Sequence, residues 1–70
     1  MTHKFQLNDK PFIPLNMLLK YLQLVETGGE ANIRISDGEV RVNNAVETQK
    51  RKKLRTGDTV QFGKEIVEIM

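Results

Sequence analysis

The chain contains no cysteine. It therefore cannot be stapled by disulfides, and a zinc site built from thiolates is excluded. His3 is the only histidine, and its place at the start of the chain makes it a surface side chain. No cysteine nucleophile, no cluster of metal-ligating residues and no glycine-rich nucleotide loop followed by its lysine is present. The carboxylates Asp37, Glu39, Glu47 and Asp58 fall at turns and strand edges, where solvation or capping accounts for them. Nothing in the chain supports catalysis, a cofactor or a small-molecule substrate. No run reaches the roughly 18 apolar residues of a membrane span, and residues 1–6 lack the apolar core of a signal peptide. These absences point to a cytoplasmic protein with no membrane partner. Aromatics are scarce: Phe5, Phe12, Tyr21 and Phe62. All four lie on apolar stripes and are expected to fill the core, which leaves no exposed platform for stacking bases.

Seventy residues, 39% of them hydrophobic and 29% charged, suit one globular domain over residues 1–70, expected to act as a monomer. A chain of this size buries only about 60% of its unfolded surface, so its core is thin. Residues 4–7 alternate as a short strand, and Asn8, Asp9 and Pro11 supply turn chemistry. Pro14 suits a helix start. Leu15, Leu18, Leu19 and Leu22 then recur on one helical face, and Met17, Tyr21 and Leu24 form a second stripe. Both stripes are read as core, on a helix over residues 15–25. Thr27 and Glu30 have the spacing of a capping box, with the Glu30 carboxylate reaching back to the Thr27 amide. Gly38 is placed to end a second helix over Gly28–Ser36 in the left-handed conformation. Residues 32–36 also alternate like a strand, but the cap signals at both ends favour a helix. Residues 39–42, 45–47, 59–62 and 65–69 read as strands, with Asn43-Asn44 as a two-residue turn. The expected fold class is α+β: two short helices packed on a small, mainly antiparallel sheet.

One stretch dominates the charge distribution. Lys50, Arg51, Lys52, Lys53 and Arg55 place +5 within residues 48–55, whereas the whole chain carries only +2. The rest of the chain is net acidic, and a concentrated basic patch on such a body is the footprint of a polyanion binder. The stretch reads as a solvated loop. If it is extended, alternation turns Arg51, Lys53 and Arg55 to one side. Arginine offers planar bidentate contacts, so Arg51 and Arg55 are the candidates for orienting the polyanion and the lysines for bulk attraction. Arg34, Arg41 and Lys20 can widen the patch, although Arg34 and Arg41 are equally suited to salt bridges. Gly28 and Gly29 at a helix start are either a phosphate cradle or a plain turn.

The order of these features resembles the alpha-L RNA-binding motif. That motif occurs in a small-subunit ribosomal protein, pseudouridine synthases, tyrosyl-tRNA synthetases and a heat-shock ribosome factor. The matching residues are Leu15, Leu18 and Leu19; then Ala31, Ile35 and Gly38; then Val40, Val42, Asn43 and Val46; then Leu54, Gly57, Asp58 and Val60. The motif core spans about residues 15–62. The block from Glu26 to Ala31, with Val46, Glu47, Thr48, Arg51 and Lys53, is similar to free-standing bacterial proteins of about this length that are ribosome-associated or RNA-binding. Many family members carry an arginine at the start of the first helix and Ser-Arg at the start of the second. Here those positions hold Pro14 and Thr27-Gly28. The resemblance implies a non-enzymatic module that recognises structured RNA by shape, with ribosomal RNA a candidate. The alternative is a protein-interaction domain that reads an acidic partner through the same patch.

Overall fold

The structure, a computed structural model, describes residues 2–70. In chain order the elements are β1 (Thr2–Phe5), β2 (Ile13–Pro14), α1 (Leu15–Tyr21), α2 (Gly28–Ser36), β3 (Val40–Val42), β4 (Ala45–Val46), β5 (Lys53–Leu54), β6 (Thr59–Phe62) and β7 (Glu65–Ile69). The α+β reading holds: two helices pack on a mainly antiparallel sheet. β2 and β5, both unforeseen, are two residues each and exist only because they pair with one another. Two residues carry no periodicity, so only the tertiary partner reveals them.

Both helices end in the same backbone device. After α1 the Gln23 amide donates to the Lys20 carbonyl and the Leu24 amide to the Leu19 carbonyl. After α2 Gly38 donates to Ile35 and Glu39 to Arg34. Each is a Schellman closure, with the turning residue in the left-handed region. Gly38 fills that role at φ 79°, and Gln23 fills it at φ 60°. This closure ends α1 at Tyr21, four residues short of the expected 25. Nothing in Leu22-Gln23-Leu24 signals a stop, because glutamine is a good helix former. The capping box of α2 forms with one change. The Thr27 hydroxyl accepts from the Glu30 amide at 3.0 Å, but the Glu30 carboxylate reaches the Glu26 amide, at 2.9 Å, instead of that of Thr27.

The main sheet has the order β1-β7-β6-β3-β4. β1 joins β7 in parallel, with Thr2 opposite Ile66 and Phe5 opposite Ile69. The other pairings are antiparallel. That distant parallel partner sets the register of β1, which lies two residues earlier than local alternation suggests. Asn43 and Asn44, at φ 52° and 70°, make the tight turn between β3 and β4 that their side chains tolerate.

The core is a single cluster. Leu15, Leu18 and Leu19 from α1 and Ala31 and Ile35 from α2 meet Val40, Leu54, Val60 and Val67 from the strands. The expectation that both stripes of α1 are core is corrected. Leu22 and Leu24 are partly buried, but Met17 and Tyr21 are 54% and 65% exposed. On that side α1 faces residues of β1 and the connection into β2 across an open groove. A seven-residue helix covered from one side buries one face.

Candidate nucleic-acid interface

The basic stretch is built into the fold through its backbone. Pro14 provides no side-chain cap for α1, and the first helical amides find other acceptors. Leu15 donates to the Lys52 carbonyl at 2.9 Å and Asn16 to the Lys50 carbonyl at 3.0 Å. Helix starts leave such amides without intrahelical partners, so residues 50–52 complete α1. The Lys52 amide closes a turn on Gln49. Lys53 and Leu54 then pair with Pro14 and Ile13, and Leu54 is fully buried. The reading of a wholly solvated loop is thus corrected. Only residues 53–54 are extended, and a turn at residues 50–51 breaks the alternation expected to align Arg51 with Lys53 and Arg55.

The side chains behave differently from the backbone that carries them. Lys50, Arg51, Lys53 and Arg55 are exposed and Lys52 is half-buried. Among the described residues, none of these five cations forms a salt bridge. The Lys53 ammonium stands 5.1 Å from the centroid of the Phe12 ring, a cation–π contact. Asp58 anchors the far end. Its carboxylate accepts from the Arg55 amide at 2.8 Å and from the Asn43 side chain at 3.1 Å, and its own amide donates to the Arg55 carbonyl. Partial burial pushes the Asp58 carboxyl up. The hydrogen bonds from Arg55 and Asn43, together with the nearby positive charges of Lys52 and Arg55, outweigh this and hold it below its ordinary value.

The outlying candidates are scattered. Arg34 is held by Glu39 at 3.1 Å and Glu30 at 3.4 Å. The hydrogen bond and charge of Glu39, then those of Glu30, raise its pKa further. Arg41 stands exposed on β3 between Val46 and Gln61. Lys20 is exposed in the last turn of α1, at the opposite end from the carbonyls of Lys50 and Lys52. Gly28 and Gly29 open α2 with ordinary backbone angles, and a side chain at either would fit. The Glu30 carboxylate already bonds at that helix end.

Other residues near the site carried no such signal in the sequence. Asp58 and Asn43 read as turn formers, yet together they clamp Arg55 and the start of β6, where the Thr59 amide donates to the Asn43 side chain at 3.0 Å. Phe12 and Tyr21 read as core. Tyr21 instead packs edge-on against Phe5 at 5.4 Å and faces solvent. A stripe at helical spacing looks the same whether or not another element covers it.

Comparison with known proteins places this geometry. The S4 domain family matches residues 5–70. YbcJ of Escherichia coli (strain K12), a candidate RNA-binding protein, is 41% identical over 66 residues, covering 94% of each chain. YbcJ of Shigella flexneri matches to the same extent. The solution structure of YbcJ from E. coli superposes with a TM-score of 0.74 at 40% identity, covering 96% of this chain and 85% of that one. It is described as revealing an alpha-L motif involved in RNA binding.

Proposed function

The chain belongs to the S4 domain family, and on that footing we propose that it is a non-enzymatic module that binds structured RNA through Lys50, Arg51, Lys52, Lys53 and Arg55. The observation that carries this reading is the contrast between these five cations and Arg34. Arg34 is neutralised by two carboxylates, whereas among the described residues none of the five forms a salt bridge, and their backbone is bonded to α1, β2 and Asp58. Unpaired cations on an ordered backbone neutralise phosphates without first breaking salt bridges or ordering a loop. Similarity to YbcJ supports RNA over an acidic protein as the polyanion. Ribosomal RNA is the target class we infer, bound by a monomer in the cytoplasm, with residues 1–70 as one RNA-binding unit. Arg41 and Lys20 are exposed cations apart from this stretch, Lys20 at the opposite end of α1, and add to it only through longer-range attraction. Arg34, Gly28 and Gly29 stand second, because Glu30 and Glu39 already engage that side of α2.

The test is a salt titration of binding to ribosomal RNA fragments. Replacing the five cations with glutamine keeps the backbone bonds to α1 and β2, so circular dichroism should show an intact fold. If the five neutralise about 3–5 phosphates, the log–log salt slope should flatten by about 2–4 units. Arg51→Lys keeps the charge and should lose about 1–3 kcal/mol only if Arg51 makes a bidentate contact. An unchanged slope in the fivefold variant places the RNA surface elsewhere.

A further inference from the structure

Beside the basic stretch lies a groove of about 440 Å³, within the roughly 300–1,000 Å³ of small-molecule sites. One wall is Phe12, Ile13 and Pro14, and Met17 and Tyr21 face it from α1. Ile13 and Pro14 of that wall form the two-stranded sheet with Leu54 and Lys53, so one of the five cations is paired directly to the wall. Three chemistries converge there. Phe12 and Tyr21 supply aromatic surface, and Tyr21 is 65% exposed. Gln6 and Asn8 are also among the residues lining the groove, and their side-chain amides can both donate and accept, as a base edge requires. Lys10 lines it as well, and the Lys53 ammonium lies over Phe12. Among the described residues, no carboxylate lines it.

We propose that this groove receives one unstacked nucleotide of the RNA held by the basic stretch, its base against Tyr21 and Phe12 and its phosphate toward Lys53 and Lys10. The proposal rests on the RNA-binding reading above. An apolar peptide would use the aromatic surface but leave the amides and cations unmatched. A nucleotide uses all three, and stacking on an aromatic side chain is tolerant of base identity. Shape-led binding of a duplex through its backbone then combines with capture of a base from a bulge or loop.

The experiment compares two RNA hairpins that differ by one bulged nucleotide, 2-aminopurine. Tyr21 is the only tyrosine and the chain has no tryptophan, so protein emission reports on this position alone. The bulged hairpin should bind about 5- to 150-fold more tightly, taking one stacked base as the gain. Both Tyr21 and 2-aminopurine emission should change on binding. Tyr21→Leu should erase the advantage of the bulge and leave the paired hairpin and the salt slope unaltered. Met17→Ala should weaken only the bulged complex, which serves if loss of the Phe5 contact unfolds the Tyr21 variant. Equal affinity for the two hairpins, with the slope still set by the five cations, overturns the groove proposal and leaves the RNA-binding reading standing. Failure of both hairpins to bind overturns both readings. A change in Tyr21 emission with an apolar helical peptide but not with the bulged RNA assigns the groove to a protein partner and overturns the proposal.

Discussion

At the scale of single residues, the site depends on which charges are paired. Arg34 and Arg51 carry the same group, yet Arg34 is tied to Glu30 and Glu39, whereas Arg51 meets no carboxylate among the described residues. Asp58 does the opposite work: it is an acid at the edge of a basic surface, and its charge organises backbone. Its pKa is lower in the folded chain than its ordinary value of 3.8. The stabilisation it provides is therefore fully present above that value and is lost as pH falls through the depressed folded pKa. Thermal melts of the wild type should drop steeply below about pH 4. Asp58→Asn keeps an acceptor for the Arg55 amide but has no charge to lose. Its melting temperature should be lower at pH 7 and should fall less on acidification. Parallel acid profiles for the two chains would show that Asp58 is not the group responsible.

At the scale of elements, the two helices begin in different ways. α1 lacks a side-chain cap and takes its first acceptors from Lys50 and Lys52, whereas α2 carries its own cap in Thr27 and Glu30. The two helices close alike but on different residues. Gln23 holds a left-handed conformation that costs an ordinary L-residue roughly 1–2 kcal/mol, and Gly38 holds it without that penalty. Gln23→Gly should accordingly stabilise the chain by about 0.5–1 kcal/mol, the strain relief less the added freedom of the unfolded glycine. Chemical denaturation measures this, and a loss of stability would mean that the exposed Gln23 side chain contributes more than its backbone strain costs.

At the scale of the molecule, the basic stretch belongs to the folded framework. It bonds the start of α1, pairs with β2 and contributes Leu54 to the core. RNA bound there should therefore stabilise the whole chain and not only a loop. At 100 times its Kd an RNA fragment should add about 2.7 kcal/mol, seen as a rise in the single melting transition. The fivefold glutamine variant should melt near the wild type alone and show no such rise.

Local chemistry was legible in the residues themselves. The capping box at Thr27 and Glu30, the left-handed Gly38 and the Asn43-Asn44 turn report interactions made within a few positions, and the side-chain types suffice to read them. The concentration of charge at residues 50–55 was equally plain, because charge needs no partner to be counted. What only the tertiary structure decided depends on contacts between distant segments. The parallel partner of β1 lies more than sixty positions away. β2 and β5 have no pattern of their own. Whether Arg34 is a free cation, whether Tyr21 is core or surface and whether the basic stretch is loose or held all turn on which element comes to lie against them. Periodicity shows that a face is apolar, but only the packed fold shows whether anything covers it.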